Sequence, residues 1–318
     1  MKSPVLDGPA SDTPALTTFD WLLLILPGII WGASFLFIAE GLHAMGPNGV
    51  TFTRIAIGFL TLSLVPGVRQ PVVREDRARI AWLGVLWIAF PLSMFPLAEQ
   101  HVSSAMTGML NGATPLFTAI VAGLLMRRAP SRMVIVGLLV GLAGAVLVAL
   151  PTLDDGGSSV TGVLLILAAL VSYGFAINLA RPLQQRNGAL PVIWRALGVG
   201  LILTAPLGAP ALAAAEWSLR PLAAMLALGA LGTGVANVMV ATAAGRAGAT
   251  RASATTFLIP VVALILGVVV RHEQVAAVSV LGCAICLVGA WLINAPARRT
   301  PAPEPCIALA HEGATERS

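Results

Sequence analysis

Apolar residues run along this chain in ten long stretches, each bounded by short polar or charged segments: 21–39, 48–66, 80–98, 102–126, 133–150, 160–180, 190–208, 221–243, 247–270 and 277–294. A helix needs roughly 20 apolar residues to cross the hydrocarbon core of a bilayer, so each stretch predicts one transmembrane helix. Several stretches carry Pro or Gly inside them, as from Ala89-Phe90-Pro91 to Pro96. Such breaks survive in a membrane only where neighbouring helices or a wet cavity satisfy the freed backbone groups. The connections are too short to fold as separate domains.

The stretches also repeat. Gln100-His101 precede a run holding Asn111, Pro115 and Ala119, followed by a helix with Gly137 and Gly144. Gly245-Arg246 precede a run holding Thr256, Pro260 and Leu264, followed by Gly282 and Gly289. One offset of 145 relates Pro115 to Pro260, Gly137 to Gly282, Gly144 to Gly289 and Gly84 to Gly229. Five helices per copy is an odd number, so the two copies enter the bilayer from opposite sides, the geometry of alternating-access transporters. The expected fold is an all-α integral membrane protein of ten transmembrane helices arranged as two inverted five-helix repeats. The repeats are residues 21–150 and 160–295, with residues 1–20 and 296–318 as disordered cytoplasmic extensions.

Composition agrees with a membrane chain: 57% of residues are hydrophobic, 10% are charged and the mean hydropathy is +0.89. A soluble domain carries about 25% charged residues. The sequence pI near 10.0 would suggest nucleic acid in a soluble protein. Here the basic residues fall between the apolar stretches, where they set orientation. With both termini cytoplasmic, fifteen of the 19 basic residues lie inside, from Lys2 through Arg74, Arg128 and Arg186 to Arg317. Only Arg220 and Arg271 lie outside, and Arg54 and Arg195 fall within helices. Lys2 is accompanied by Asp7, Asp12 and Asp20, so the start of the chain lacks the basic region of a cleavable signal.

Three cysteines do not make a disulfide framework. Cys283 and Cys286 stand one helical turn apart in the last stretch and read as small packing residues, while Cys306 lies in the tail. His43, His101, His272 and His311 sit at interfaces or in the tail, so no metal or cofactor site is expected. Glu40, Glu99 and Glu273 sit at helix ends and no acid falls centrally in a stretch. That removes the clustered acids and bases of a membrane-embedded enzyme. It also leaves facilitated diffusion standing beside proton coupling.

Arg54 and Arg195 occupy matching places in the second and seventh stretches, where they can snorkel, gate, or attract an anionic substrate group. The fourth stretch carries Ser103 or Ser104, then Thr107, Asn111, Thr114 and Thr118, a stripe on one helical face. The ninth offers Thr250, Ser253, Thr255 and Thr256 ahead of Pro260. Pro115 and Pro260 each free a carbonyl in the preceding turn. Trp31 with Ser34 and the corresponding Tyr173 lie deep in the first stretch of each half, and Asn237 with Thr233 adds a polar pair to the eighth. The candidate substrate-binding residues are therefore Trp31, Ser34, Thr107, Asn111, Tyr173, Asn237 and Thr256.

These features together resemble the drug/metabolite transporter superfamily, and more closely its EamA-type members, in which two five-helix domains are fused. Pro115, Gly137 and Gly144 carry the resemblance in the first half, and Pro260, Glu273, Gly282 and Gly289 in the second. Arg128 stands where the first repeat would carry its Glu, which suggests that Glu273 makes a helix-cap or interface contact. The resemblance implies a bundle whose cavity is lined by the first, third, fourth, sixth, eighth and ninth helices. It implies a bacterial inner-membrane exporter of an amino-acid-like metabolite or small drug. The alternatives are uptake of a nucleobase or sugar derivative by the same fold, and a membrane-embedded enzyme. The expected partners are the small substrate and the lipid bilayer, with no nucleic acid.

Overall fold

The computed structural model describes residues 16–127, 130–153 and 157–294. The expected terminal extensions up to residue 15 and beyond 294, Arg128 and Cys306 lie outside the described residues. Ten helices follow one another among the described residues, with no strand. They are α1 (Thr18–Gly41), α2 (Pro47–Ser63), α3 (Arg74–Ala98), α4 (Ser104–Met126) and α5 (Arg132–Ala149) in the first half. The second half holds α6 (Gly157–Asn187), α7 (Ala189–Ala213), α8 (Leu219–Ala247), α9 (Arg251–Arg271) and α10 (Ala277–Asn294). Nine of these, all but α2, are long and apolar enough to cross a membrane. Helix α2 has 17 residues and stops short of the expected 48–66. Pro66 disfavours a helical Val65, and Gly67 turns the chain at φ +83°.

Other boundaries shift for local reasons. Helix α1 reaches back to Thr18, ahead of the expected Trp21, because Thr17 and Asp20 form a capping box. The Asp20 carboxylate also accepts from Arg246 Nε at 2.6 Å, joining the first turn of α1 to the last turn of α8. Helix α6 runs on to Asn187, well past residue 180. Asn187 Nδ2 donates to the buried Asp76 at 2.8 Å, and its Oδ1 accepts from Val73 N at 2.7 Å. Arg186 joins the same carboxylate at 3.4 Å, so the start of α3 is tied to the end of α6.

Packing runs across the two halves and repeats itself. A Cβ at Gly84 of α3 would come within 2.8 Å of the Ala196 carbonyl on α7. A Cβ at Gly229 of α8, the equivalent position, would meet Ile57 and the Arg54 carbonyl on α2. In the same way α1 packs on α9 through Gly28 and Gly32, and α6 on α4 through Gly174. Each small residue lets backbones approach closely, the usual means of association where burial of apolar surface supplies no drive. Helices α5 and α10 make the tightest pair, with Gly137 and Gly144 facing Gly289 and Gly282. Around this bundle Leu139, Val146, Ile202, Leu207, Val269 and Trp291 stay exposed, an apolar coat suited to lipid.

Gly144→Val places two methyl groups against the Gly282 carbonyl and the Cys286 backbone. It is expected to cost about 1–3 kcal/mol, read as a lower melting temperature of the detergent-solubilised protein. Leu139→Ala on the exposed face should leave that temperature nearly unchanged.

Candidate functional site

Two helices lose regular α geometry in their middles, at equivalent places. Residues Gly84–Ala89 of α3 and Ala227–Val235 of α8 are π-helical, the longer of them carrying three glycines. A π turn widens the helix and leaves a carbonyl without its usual partner. Here each such segment is met by a side chain from the other half. Trp31 Nε1 on α1 donates to the Gly232 carbonyl at 2.9 Å, and Ser172 Oγ on α6 donates to the Leu86 carbonyl at 2.7 Å.

Helices α4 and α9 are broken too. Helix α4 pauses at Gly112-Ala113 and restarts with Pro115 in its first turn. Pro115 cannot donate to the Asn111 carbonyl, and the Thr114 hydroxyl donates to it instead at 2.7 Å. Helix α9 tightens to a 3₁₀ turn over Ala254–Phe257 before Pro260, which likewise cannot donate to the Thr256 carbonyl. Asn111 and Thr256 are themselves related by the offset of 145.

The four irregular segments surround one cavity of about 210 Å³. Its wall is mostly apolar and aromatic, with Phe35, Trp87, Leu92, Phe95 and Phe257 beside a few polar groups. Six of the seven expected binding residues line it: Trp31, Ser34, Asn111, Tyr173, Asn237 and Thr256. Several of their polar atoms are already occupied. Ser34 Oγ donates to the Ile30 carbonyl at 3.0 Å, and Asn237 Nδ2 to the Thr233 carbonyl at 2.8 Å. Thr107 does not line the cavity. It is fully buried with its hydroxyl turned back onto the Ser103 carbonyl at 3.0 Å, in a stretch of α4 where Phe35 of α1 and Ala263 of α9 close over the neighbouring Gly108.

The two arginines separate as well. Arg54 is buried at 6% exposure and lines the cavity. Among the described residues its hydrogen bonding is a single long contact, Nε to Thr233 Oγ1 at 3.4 Å. Its terminal nitrogens, four further N–H donors, have no partner among the described residues. Arg195 is instead bound to the Gln70 carbonyl at 2.7 Å and the Pro191 carbonyl at 3.0 Å, with its guanidinium 5.5 Å from the Trp194 ring centre. That interfacial role follows from its place near the start of α7, where α3 leads in from the Gln70 loop. Arg195 is not part of the cavity.

At one end the cavity is closed by rings. Phe35 and Phe95 meet edge to face with centroids 5.6 Å apart, and Tyr173 lies 5.9 Å from Phe95. Beyond the rings is a charged cluster that sequence reading did not assemble. Arg271 joins Glu40 at 3.2 Å and Glu273 at 3.1 Å. Glu273 in turn accepts from Ser104 N, Ser104 Oγ and Ala105 N at 3.1, 2.7 and 2.8 Å. A carboxylate on the first amides of α4 is favoured by the helix dipole as well as by the hydrogen bonds. The ends of α1 and α9 and the start of α4 are thereby latched together. Glu99 lies beside this latch, one residue past the end of α3. Both its oxygens are buried without a hydrogen-bond partner among the described residues. Burial pushes its pKa well above the usual carboxylate range, the Glu273 charge adds to the rise, and Arg271 and Arg54 offset part of it. Its position at a helix end gave no sign of burial in the sequence.

Residues 19–150 and 160–295 each match the model of the EamA-like transporter family. A relative described as a probable terminal-alkyne amino-acid exporter, from Streptantibioticus cattleyicolor, is 27% identical over 87% of this chain and 93% of its own. The uncharacterised transporter YoaV of Bacillus subtilis is 24% identical, over 83% of this chain and 92% of its own. A solved crystal structure matches 90% of this chain and all of its own, with a TM-score of 0.57 at 20% identity, a likeness of fold.

Trp31→Phe removes the donor to the Gly232 carbonyl while keeping an aromatic ring. The variant is expected to lose about 1 kcal/mol, read as a lowered melting temperature in detergent.

Proposed function

The chain belongs to the EamA-like transporter family, and on that premise we propose that it exports a small amino-acid-like metabolite across a bacterial inner membrane by alternating access. Helix α2 counts as the tenth span in this reading. Its 17 residues cover about 25 Å, enough where the bilayer is thin or the flanking Pro47 and Ser63 lie at headgroup depth. The two halves then insert upside-down relative to each other with both termini in the cytoplasm. The cross-half pairing of α3 with α7 and of α8 with α2 supports that arrangement, since an inverted pair of repeats makes every such contact twice.

The observation that carries the substrate reading is Arg54. A buried guanidinium with unpaired donors, set in an aromatic and apolar wall, is a costly arrangement for the protein alone. It becomes favourable when a carboxylate enters and takes two parallel hydrogen bonds. The cavity volume lies below the usual range for drug-sized ligands, roughly 300–1,000 Å³, which favours a small metabolite. The aromatic walls from Trp31, Trp87 and Phe95 suit a short apolar side chain, and the relative named as an exporter of terminal-alkyne amino acids is consistent with that chemistry. In this reading the Arg271–Glu40–Glu273 latch closes the extracytoplasmic mouth, and it opens for release.

Propargylglycine, a short amino acid with a terminal alkyne, is a suitable probe. Cells expressing the protein should tolerate it better and release it faster than cells without. Arg54→Gln is expected to lower efflux about tenfold or more, and Asn111→Ala severalfold, both at unchanged membrane insertion. Arg195→Gln should leave efflux near the wild-type rate. Equal transport by the Arg54 and Asn111 variants would dismiss the site, and absence of efflux by the wild type would dismiss the substrate class.

A further inference from the structure

We infer that Glu99 is the proton-binding site of this transporter, and that its carboxylate holds either one proton or the ammonium group of the outgoing substrate, never both. The inference rests on the amino-acid reading above and extends it to the energy source.

Glu99 follows α3 directly, and its backbone N–H donates to the Phe95 carbonyl at 2.9 Å. It therefore stands one helical turn beyond Phe95, on the far side of the ring cluster from the cavity. Its two oxygens are out of reach of solvent and of every described donor. An unpaired carboxylate is strongly disfavoured in that setting, so with the latch closed the group is neutral. The surrounding charges do not change this. Glu273 repels a charge on Glu99, while Arg271 and Arg54 attract it. Arg271 is already committed to Glu40 on α1 and to Glu273, and Arg54 lines the cavity from α2. His101 is two residues along the same turn, with its own interactions. The Tyr173 phenol of α6 belongs to the ring cluster itself, its ring 5.9 Å from that of Phe95.

Closing the latch over Glu99 thus requires that its charge be cancelled. On the outward leg the substrate ammonium does this as the rings part and the substrate moves from Arg54 to Glu99. Once the latch opens and water enters, one proton from outside takes the carboxylate and the ammonium leaves. On the return leg the neutral acid lets the latch close, and its proton passes to the cytoplasmic side when the next substrate binds. One proton moves inward for each substrate molecule moved out. The carboxyl is regenerated in each cycle, and no electron transfer is involved.

The test uses the full chain in vesicles of phosphatidylethanolamine and phosphatidylglycerol, with the membrane potential clamped by potassium and valinomycin. With the interior more acidic by about one pH unit, one-for-one exchange drives up to about tenfold accumulation of propargylglycine in the vesicles. Wild type should approach that ratio. Glu99→Gln should slow exchange of labelled for unlabelled probe and accumulate none above the outside concentration, and Glu99→Asp should regain gradient-driven accumulation. Accumulation by Glu99→Gln equal to wild type, or a wild type that exchanges the probe but ignores the gradient, overturns the inference. If wild type does not move the probe, the substrate reading fails and infrared spectroscopy decides the proton site. A carboxylic-acid carbonyl band at neutral pH that is lost in Glu99→Gln supports it, and the absence of such a band overturns it.

Discussion

A lipid bilayer offers no hydrogen bonds, and this chain breaks four of its helices in the middle. Each break therefore has to be healed by some other group, and the placement of those groups organises the molecule. The π-helical carbonyls of Leu86 and Gly232 are taken by Ser172 and Trp31 from the opposite half. The carbonyl that Pro115 leaves free is taken by Thr114. Because the healing donors sit on α1 and α6, those helices must lie against α8 and α3, and the glycines at 84 and 229 then bring α7 and α2 close behind. The cavity is what remains where the four irregular segments converge.

Charge is arranged on the same plan. Several ionised groups are paired at helix ends, as in Asp20 with Arg246, Asp76 with Arg186, and Arg271 with its two glutamates. Two are not. Arg54 enters the cavity wall almost without partners, and Glu99 is buried behind the rings with none among the described residues. One is a fixed cation and the other an acid that can become neutral. The ring cluster of Phe35, Phe95 and Tyr173 stands between them. The latch at Arg271 holds the helices that must separate if those rings are to move, which connects the charged cluster to the cavity through rigid elements.

Much of this was legible in the residues. Apolar runs gave the helices, and the 145-residue offset gave the correspondence of Pro115 with Pro260 and of Gly84 with Gly229. The deep aromatic residues and the asparagine before Pro115 pointed to the cavity, since neither has an ordinary place in lipid. Thr107 and Arg195 lie away from the cavity for one reason: a helical-face pattern does not say which neighbours the face will meet. Phe35 and Ala263 close on α4 at Gly108, beside the buried Thr107, and the loop at Gln70 supplies Arg195 with a carbonyl partner that no spacing discloses.

Sequence alone determined the all-helical membrane class, the tandem repeat and most of the polar groups around the cavity, because hydropathy and proline effects act locally along the chain. Tertiary structure decided which charges are paired and which are stranded. Arg54 and Arg195 look alike in sequence, as do Glu40, Glu99 and Glu273, and only the approach of distant helices gives each its surroundings. Burial is a property of neighbours, and for Glu99 those neighbours come from α2 and from the turn after α9, up to 174 residues along the chain.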